Sequence, residues 1–522
     1  MKKLLILSVF FSSLYTPYSI AGRKEKKKLI TPPSHEQSVY RSLEPNSILQ
    51  HLAFYELYPD TEEGKAALKT AWFLLCGEDE PLSGQLHLPT LDVYSLIGLV
   101  NKQSGELPVN MSEEQLAILE KAAKRLHNRT LEGIKSWSKE EVLKLSEDEI
   151  DLGRALLIYQ FDKEADKEKK IRQYEASLDL MALQISAKLP KNPTADEMIE
   201  QINEFIFRQM RFRFPPHSIY AKDVDLYTFL PSVIDSRLGV CLGVSILYLC
   251  IAQRLGLELE IITPPGHIYL RLNDGHKILN IETTARGIHM PTETYLGINT
   301  QYLQKRTMKE VVGLAFFNQA SVMSGRQDFA TAVQLYETAI EFVPNDPFFK
   351  LLLGIHYLFL GKKKEGTSLL KPLNSITFEG SIGKETIPED YLSGRCSVEA
   401  IKMIFMPVNE TRESILKKQN ELKTMLEKYP KFRAGLMQLA VTYLQLGRSQ
   451  EAYNILLKYH QLDPSNPIVE YYLSIICLQR LDYVSAWIYF RSTEHILFQS
   501  HHQPKALKSL KSSLQRVSPC PL

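Results

Sequence analysis

Three residues near the middle of this 522-residue chain have the types that nucleophilic catalysis needs: Cys241, His267 and Glu282. Cys241 follows Gly239-Val240 and opens a strongly apolar stretch, 242–255, that reads as a helix ended by Gly256. Amides at a helix N-terminus carry partial positive charge, which favours a thiolate over a thiol. His267 comes 26 residues later, beside Gly266, at the start of a strand-like run. Glu282 closes the following run, where its carboxylate can reach the far nitrogen of the imidazole. A thiol, an imidazole and a carboxylate so placed make a nucleophile, a general base and an orienting acid.

The elements that must hold them are legible nearby. Residues 257–262 read as a strand, Pro264-Pro265-Gly266 as a turn and 267–272 as a second strand. Asn273-Asp274-Gly275 is a hairpin signal, and 277–282 returns as a third strand. A helix packed on a small antiparallel sheet is the expected unit. Cys250 lies further along the same helix, roughly 13 Å from Cys241, too far for a disulfide, and is expected to face the core. His276, next to the hairpin turn, is expected to be exposed. Tyr269 and Asn280 are candidates for shaping the cleft, and His289 for lining it. Thr283 and Thr284 are read as the end of the strand.

These residues also resemble a family. Arg-Leu-Gly-Val-Cys-Leu-Gly-Val-Ser at 237–245, Ala-Gln-Arg-Leu-Gly-Leu at 252–257, Pro-Gly-His-Ile-Tyr-Leu-Arg at 265–271 and Asn-Ile-Glu-Thr-Thr at 280–284 look like the transglutaminase-like core of bacterial SirB-like proteins. The resemblance spans 147–300. It implies a papain-like fold with Cys241 as nucleophile, His267 as general base and Glu282 as orienting acid. Glu stands where Asp is usual in the superfamily. Tetratricopeptide repeats commonly follow such a core.

The last 210 residues carry a period of 34. Ala320, Ala332, Tyr336, Ala339 and Pro344 fall at the small, aromatic and proline places of a tetratricopeptide repeat. Gly354 and Tyr357 continue the frame, which returns with Ala440, Tyr443, Gly447, Ala452 and Pro464, then Leu473, Ala486 and Phe490. Leu422, Met425 and Pro430 mark a degenerate repeat before them. Small residues let paired helices approach, and the proline ends the second helix of each pair. Repeats are therefore expected at 301–372 and 409–500, an insertion loop at 373–408, and a tail at 501–522.

Upstream, 44–146 reads as helical. Residues 47–56 and 62–76 have apolar spacings of three and four, and 77–89 reads as a loop. Ser112 with Gln115, Ser138 with Glu141, and Thr194 with Glu197 have capping-box spacing. Long amphipathic runs follow at 150–161 and 171–189. The fold class is mainly α: a helical N-terminal region, a small α+β core and a C-terminal α-solenoid. Three domains suit the length at roughly 150 residues each.

Composition narrows the function. Lys2 and Lys3 precede a short apolar run, and Ser19-Ile20-Ala21 supplies small residues before Gly22, the layout of a secretory signal at 1–21. Removing it leaves 60 basic and 60 acidic residues, so the mature chain is formally neutral. A basic and proline-bearing linker at 22–43 follows. No basic patch with interleaved aromatics suggests nucleic acid, no Cys or His spacing suggests a metal, and no glycine-rich loop suggests a phosphate. No cofactor and no stable transmembrane anchor are expected. The oligomeric state is left open. The reading is an exported thiol enzyme acting on amide or peptide bonds, as a peptidase, an amidase or a cross-linking acyltransferase. A protein or peptide partner or substrate is expected on the repeats. The alternative is a catalytically inactive envelope scaffold whose repeat surface is the functional part.

Overall fold

The computed structural model describes residues 34–77, 111–215, 228–409 and 411–519. The expected signal at 1–21, the basic run at 23–28 and all but the first residue of the 77–89 loop lie outside them. Part of the expected linker is ordered instead: Ser34 forms a capping box with Gln37 and opens α1 (His35–Ser42). Helices α2 (Ile48–Leu57) and α3 (Glu62–Cys76) follow as a packed pair.

All three capping boxes read from the sequence form. They open α4 (Glu113–Ala122), α5 (Lys139–Lys144) and α8 (Ala195–Asn203). Between the last two run α6 (Leu152–Phe161) and α7 (Lys167–Lys188), and after them α9 (Leu230–Ser236) and α10 (Cys241–Leu255). Helix α10 packs on α6, α7 and α9, with Ile246, Leu247, Tyr248 and Leu249 all fully buried. Its register is held by charge as well as by apolar contact. The buried Arg254 donates through Nε to Asp179 Oδ1 on α7 at 2.7 Å, and Arg129 also bonds to Asp179. Close by, Arg154 on α6 pairs with Glu175 on α7 through Nε and Nη2, each at 2.5 Å. Paired groups of this kind tolerate burial that would be prohibitive for either alone.

Four short strands lie against α10: β1 (Glu260–Thr263), β2 (Tyr269–Asn273), β3 (Ile278–Ile281) and β4 (Gln304–Arg306). The order is β3-β2-β1-β4, antiparallel throughout, with Leu270 opposite both Ile261 and Ile281, and Arg306 opposite Ile261. Three of these strands match the sequence reading to within a few residues. The fourth, Gln304-Lys305-Arg306, is polar and lacks alternation, so it carries no strand pattern; only its edge position beside β1 makes it one. The core boundary expected at 300 is thereby corrected, because β4 belongs to the core sheet.

The repeat array starts at once. Its hairpins are α11 (Met308–Gly325) with α12 (Phe329–Phe342), and α13 (Pro347–Phe359) with α14 (Lys363–Leu370). Small residues are where the helices meet: Ala320, Ala332 and Ala339 are fully buried. A Cβ on Gly366 would fall 2.7 Å from the Gly354 carbonyl oxygen, too close for any side chain. One hydrophobic cluster runs from Ile48 and Leu116 through α6, α7 and α10 to Val311, Phe342 and Phe349. The N-terminal helices, the α+β core and the first repeat therefore share one interior rather than three.

The segment 373–408, expected as a loop, contains α15 (Ile387–Leu392) and α16 (Val398–Phe405). The buried Asp390 anchors it by accepting from Arg433 Nη2 at 2.8 Å, and α16 packs on α13. The Gly and Ser content around these helices hides them from a reading of local pattern. Downstream lie α17 (Arg412–Lys428), α18 (Arg433–Gln445), α19 (Ser449–Leu462), α20 (Pro467–Gln479) and α21 (Tyr483–Gln499). The expected tail is corrected too: α22 (Lys505–Val517) buries Leu507, Leu510 and Leu514 against the last hairpin with Trp487 and Phe490. Among the described residues, no helix is long and apolar enough to cross a membrane.

Candidate active site

Cys241 is the first residue of α10, after Val240 at the N-cap, and no side chain caps the helix. Its first-turn amides are thus left to stabilise negative charge at the thiol or at an oxygen beside it. The approach to this helix start is clamped from the side. Arg213 donates its amide to the Arg237 carbonyl and accepts from the Gly239 amide, both at 3.1 Å. Arg237 ends α9 in the left-handed region at φ 55°, which turns the chain into α10.

His267 lies in the turn before β2 rather than in the strand, its amide donating to the Pro264 carbonyl at 3.0 Å. Its Nε2 is 2.7 Å from Glu282 Oε2, and it lines one cavity with Cys241. Burial disfavours the charged ring, but the neighbouring Cys241 and Glu282 outweigh it and raise the imidazolium to about 10. Of the three residues singled out from the sequence, His267 and Glu282 are in direct contact, and Cys241 lines the same cavity as His267.

Glu282 is held more firmly than two partners would hold it. Oε1 accepts from the Thr284 amide at 3.1 Å and the Thr284 hydroxyl at 2.6 Å. Oε2 accepts from His267 and from the Tyr295 hydroxyl. Burial works against the carboxylate, yet the bonds from His267, Thr284 and Tyr295 prevail and lower it to about 2. Tyr295 also stacks at 18° on both His267 and Tyr269, with centroids 5.8 and 4.6 Å away. The tight return after Glu282 needs Gly287: its φ is +77°, and a Cβ there would lie 2.1 Å from Asn203 Oδ1.

Tyr295 carries no sequence signal, and Thr284 reads there only as a strand end. Both act through Glu282, so both are positioning residues. Thr283 instead pairs its hydroxyl with Ser245 of α10 at 3.0 Å, tying the Glu282 loop to the thiol-bearing helix. The buried Asn280 donates to the Met290 carbonyl at 2.7 Å and to Thr292 Oγ1 at 3.0 Å, which fixes the loop that carries Tyr295. Tyr269 is fully buried beneath Tyr295 and does not face the cleft surface. His289, a candidate for lining the site, is exposed and accepts from the Asn280 amide at 3.0 Å. His276 is exposed.

Cys76 is half-buried like Cys241, whereas Cys250, Cys396 and Cys477 are buried. Burial raises the thiols of Cys250, of Cys396 to about 12 and of Cys477 to about 11, so they remain protonated and inert. Cys241 is half-buried and opens, with His267, into a cavity of about 370 Å³. Among the described residues, no group of His, Cys, Asp and Glu side chains converges as a metal ion would require.

A thiol at a helix start, with an imidazole and a carboxylate beside the ends of β2 and β3, has the groups of a nucleophile, a base and an orienting acid. Residues 172–322 match the family model of the Transglutaminase-like superfamily, a span from within α7 to within α11 that includes all three residues. No curated protein matches the sequence. Among solved structures, the chain is similar to a thermophilic TPR protein of Thermus thermophilus, at 18% identity and TM-score 0.21, over 39% of this chain and 98% of that one. It is also similar to the APC/C hetero-tetramer Cut9–Hcn1, at 13% identity and TM-score 0.22, over 92% of each chain. A third is yeast Tom70, at 13% identity and TM-score 0.20, over 90% of this chain and 85% of that one. The chain thus joins a transglutaminase-like domain to an array of tetratricopeptide-like helix pairs.

Proposed function

We propose that this protein is an exported thiol hydrolase of amide or peptide bonds. The observation that carries this reading is the Cys241 thiol at the start of α10, sharing one cavity with a His267 ring that Glu282 holds at 2.7 Å. The Cys241 sulfur attacks the carbonyl carbon, forming a C–S bond and an oxyanion that the first-turn amides of α10 stabilise. Collapse breaks the C–N bond, and His267 gives its proton to the departing amine. Water then adds to the thioester as His267 takes its proton, and the C–S bond breaks to release the acid. Water is the assigned acceptor because it is always present, whereas a second amine must be bound. Export rests on the leader at 1–21.

The array serves this site. Its first two hairpins border the thiol cleft through Phe317 and Phe348. Part of its surface is lined by this chain's own residues. Asn299, Lys384 and Glu385 of the same chain face Ala434, Met437 and Ile468 across a second cavity. Gln301 donates to the Ser500 carbonyl at 2.6 Å, and His502 bonds to the Gly297 carbonyl at 2.8 Å.

The test is alkylation with iodoacetamide at mildly acidic pH followed by mapping of the label. Preferential labelling of Cys241, lost in His267→Ala, is expected. Labelling no faster than a free thiol at that pH overturns the reading. Incorporation of a fluorescent amine into a protein substrate, in place of hydrolysis, would reassign the acceptor.

A further inference from the structure

The cavity that holds Cys241 and His267 does not end at the core. Its far wall comes from the repeat array and the insertion: Phe317 on α11, Phe348 on α13 and Phe378 in the segment before α15. These rings are in mutual contact. Phe317 and Phe348 have centroids 5.6 Å apart, and Phe348 meets Phe378 edge-on at 5.6 Å and 79°. Phe348 is nonetheless 42% exposed, a large ring left facing a cavity while its neighbours pack around it. Leu314 and Ile268 extend the apolar surface towards the thiol.

The Arg306 and Asp346 charges on that wall are already paired. Arg306 donates through Nη2 to Asp346 at 2.8 Å and through Nη1 to Glu310 at 3.3 Å. Glu379 is exposed on the same lining and disfavours a second carboxylate. An aromatic wall with paired charges gains free energy by covering an apolar side chain, and offset or edge-to-face ring contacts favour an aromatic one.

We propose that Phe317, Phe348 and Phe378 form the pocket for the acyl donor's side chain, and that the preferred substrate presents an aromatic residue there. The inference rests on the thiol hydrolase reading, since the pocket is continuous with Cys241 and His267. It gives the repeats a part in substrate selection: they complete a cleft that the core alone leaves open.

The experiment compares labelling rates of the full chain by three peptidyl chloromethyl ketones that carry Phe, Ala or Asp next to the reactive ketone. In each, the thiolate forms a C–S bond and chloride leaves. The Phe probe is expected to label Cys241 about ten-fold faster than the Ala probe, and the Asp probe slowest. Phe348→Ala should bring the Phe and Ala rates close together, each taken relative to that variant's own iodoacetamide rate. Equal rates for the three probes, with rapid iodoacetamide labelling, overturn the pocket and leave the nucleophile standing. Iodoacetamide labelling no faster than a free thiol removes the hydrolase reading and the pocket with it.

Discussion

Tyr295 donates its hydroxyl to the same Glu282 oxygen that lies 2.7 Å from His267 Nε2. The phenol, the carboxylate and the imidazole thus form one chain, and the imidazole at its end lines the cavity of the Cys241 thiol. Burial and the neighbouring Glu282 push the phenol up, so it remains a donor across the working pH range. Tyr295→Phe keeps the ring stack and removes only the donor. Alkylation of Cys241 at pH 6 should fall about ten-fold, the worth of one hydrogen bond to a charged group. The acid limb of its pH profile should move upward, because Glu282 loses one of the bonds that hold it low. An unchanged profile would show that the hydroxyl does not position Glu282.

Glu282→Gln tests the carboxylate itself. The amide is nearly isosteric but neutral, so His267 loses a partner that favours its charged form. Hydrolysis and low-pH alkylation should both drop by about 100-fold or more. Iodoacetamide labelling at pH 9 should differ far less, since bulk hydroxide then supplies the thiolate. Equal losses at both pH values would point to misfolding instead.

The same pair predicts how stability follows pH. His267 is raised from 6.5 to about 10, so its contribution is complete below pH 6.5 and is lost as pH climbs through 10. Glu282 is lowered from 4.5 to about 2, so its contribution is complete above pH 4.5 and is lost as pH falls through 2. Urea unfolding should therefore show the largest gap between the native chain and His267→Ala at pH 4.5–6.5. A gap that widens towards pH 10 would contradict the ion pair.

Asp179 lies away from the cleft and holds two guanidinium groups, Arg254 and Arg129. Asp179→Asn leaves the buried Arg254 without its counter-charge and should destabilise the fold by roughly 3 kcal/mol or more. Thermal unfolding measures this. Below the new midpoint, Cys241 alkylation should stay near its native rate, because Asp179 touches none of the reacting groups.

Some of this protein was determined by local sequence alone. Helix α10 was legible because an apolar run of helical length ends at Gly256, which adopts the left-handed conformation with φ +73°. The capping boxes at Ser112, Ser138 and Thr194 depend on side chains three residues apart, so nothing distant alters them. The nucleophile, imidazole and carboxylate were found because each sits at an element boundary that turn chemistry marks. Other features were settled only in three dimensions. Tyr295 has no local pattern; its role comes from the loop that Asn280 pins over Glu282. Strand β4 exists because an edge of β1 offers unpaired amides, not because Gln304-Lys305-Arg306 prefers to be extended. Phe348 reads in sequence as one more apolar residue of a repeat. The packing of the first two hairpins against the core sets it in the wall of the thiol cleft, a contact between residues more than a hundred positions apart that no local periodicity encodes.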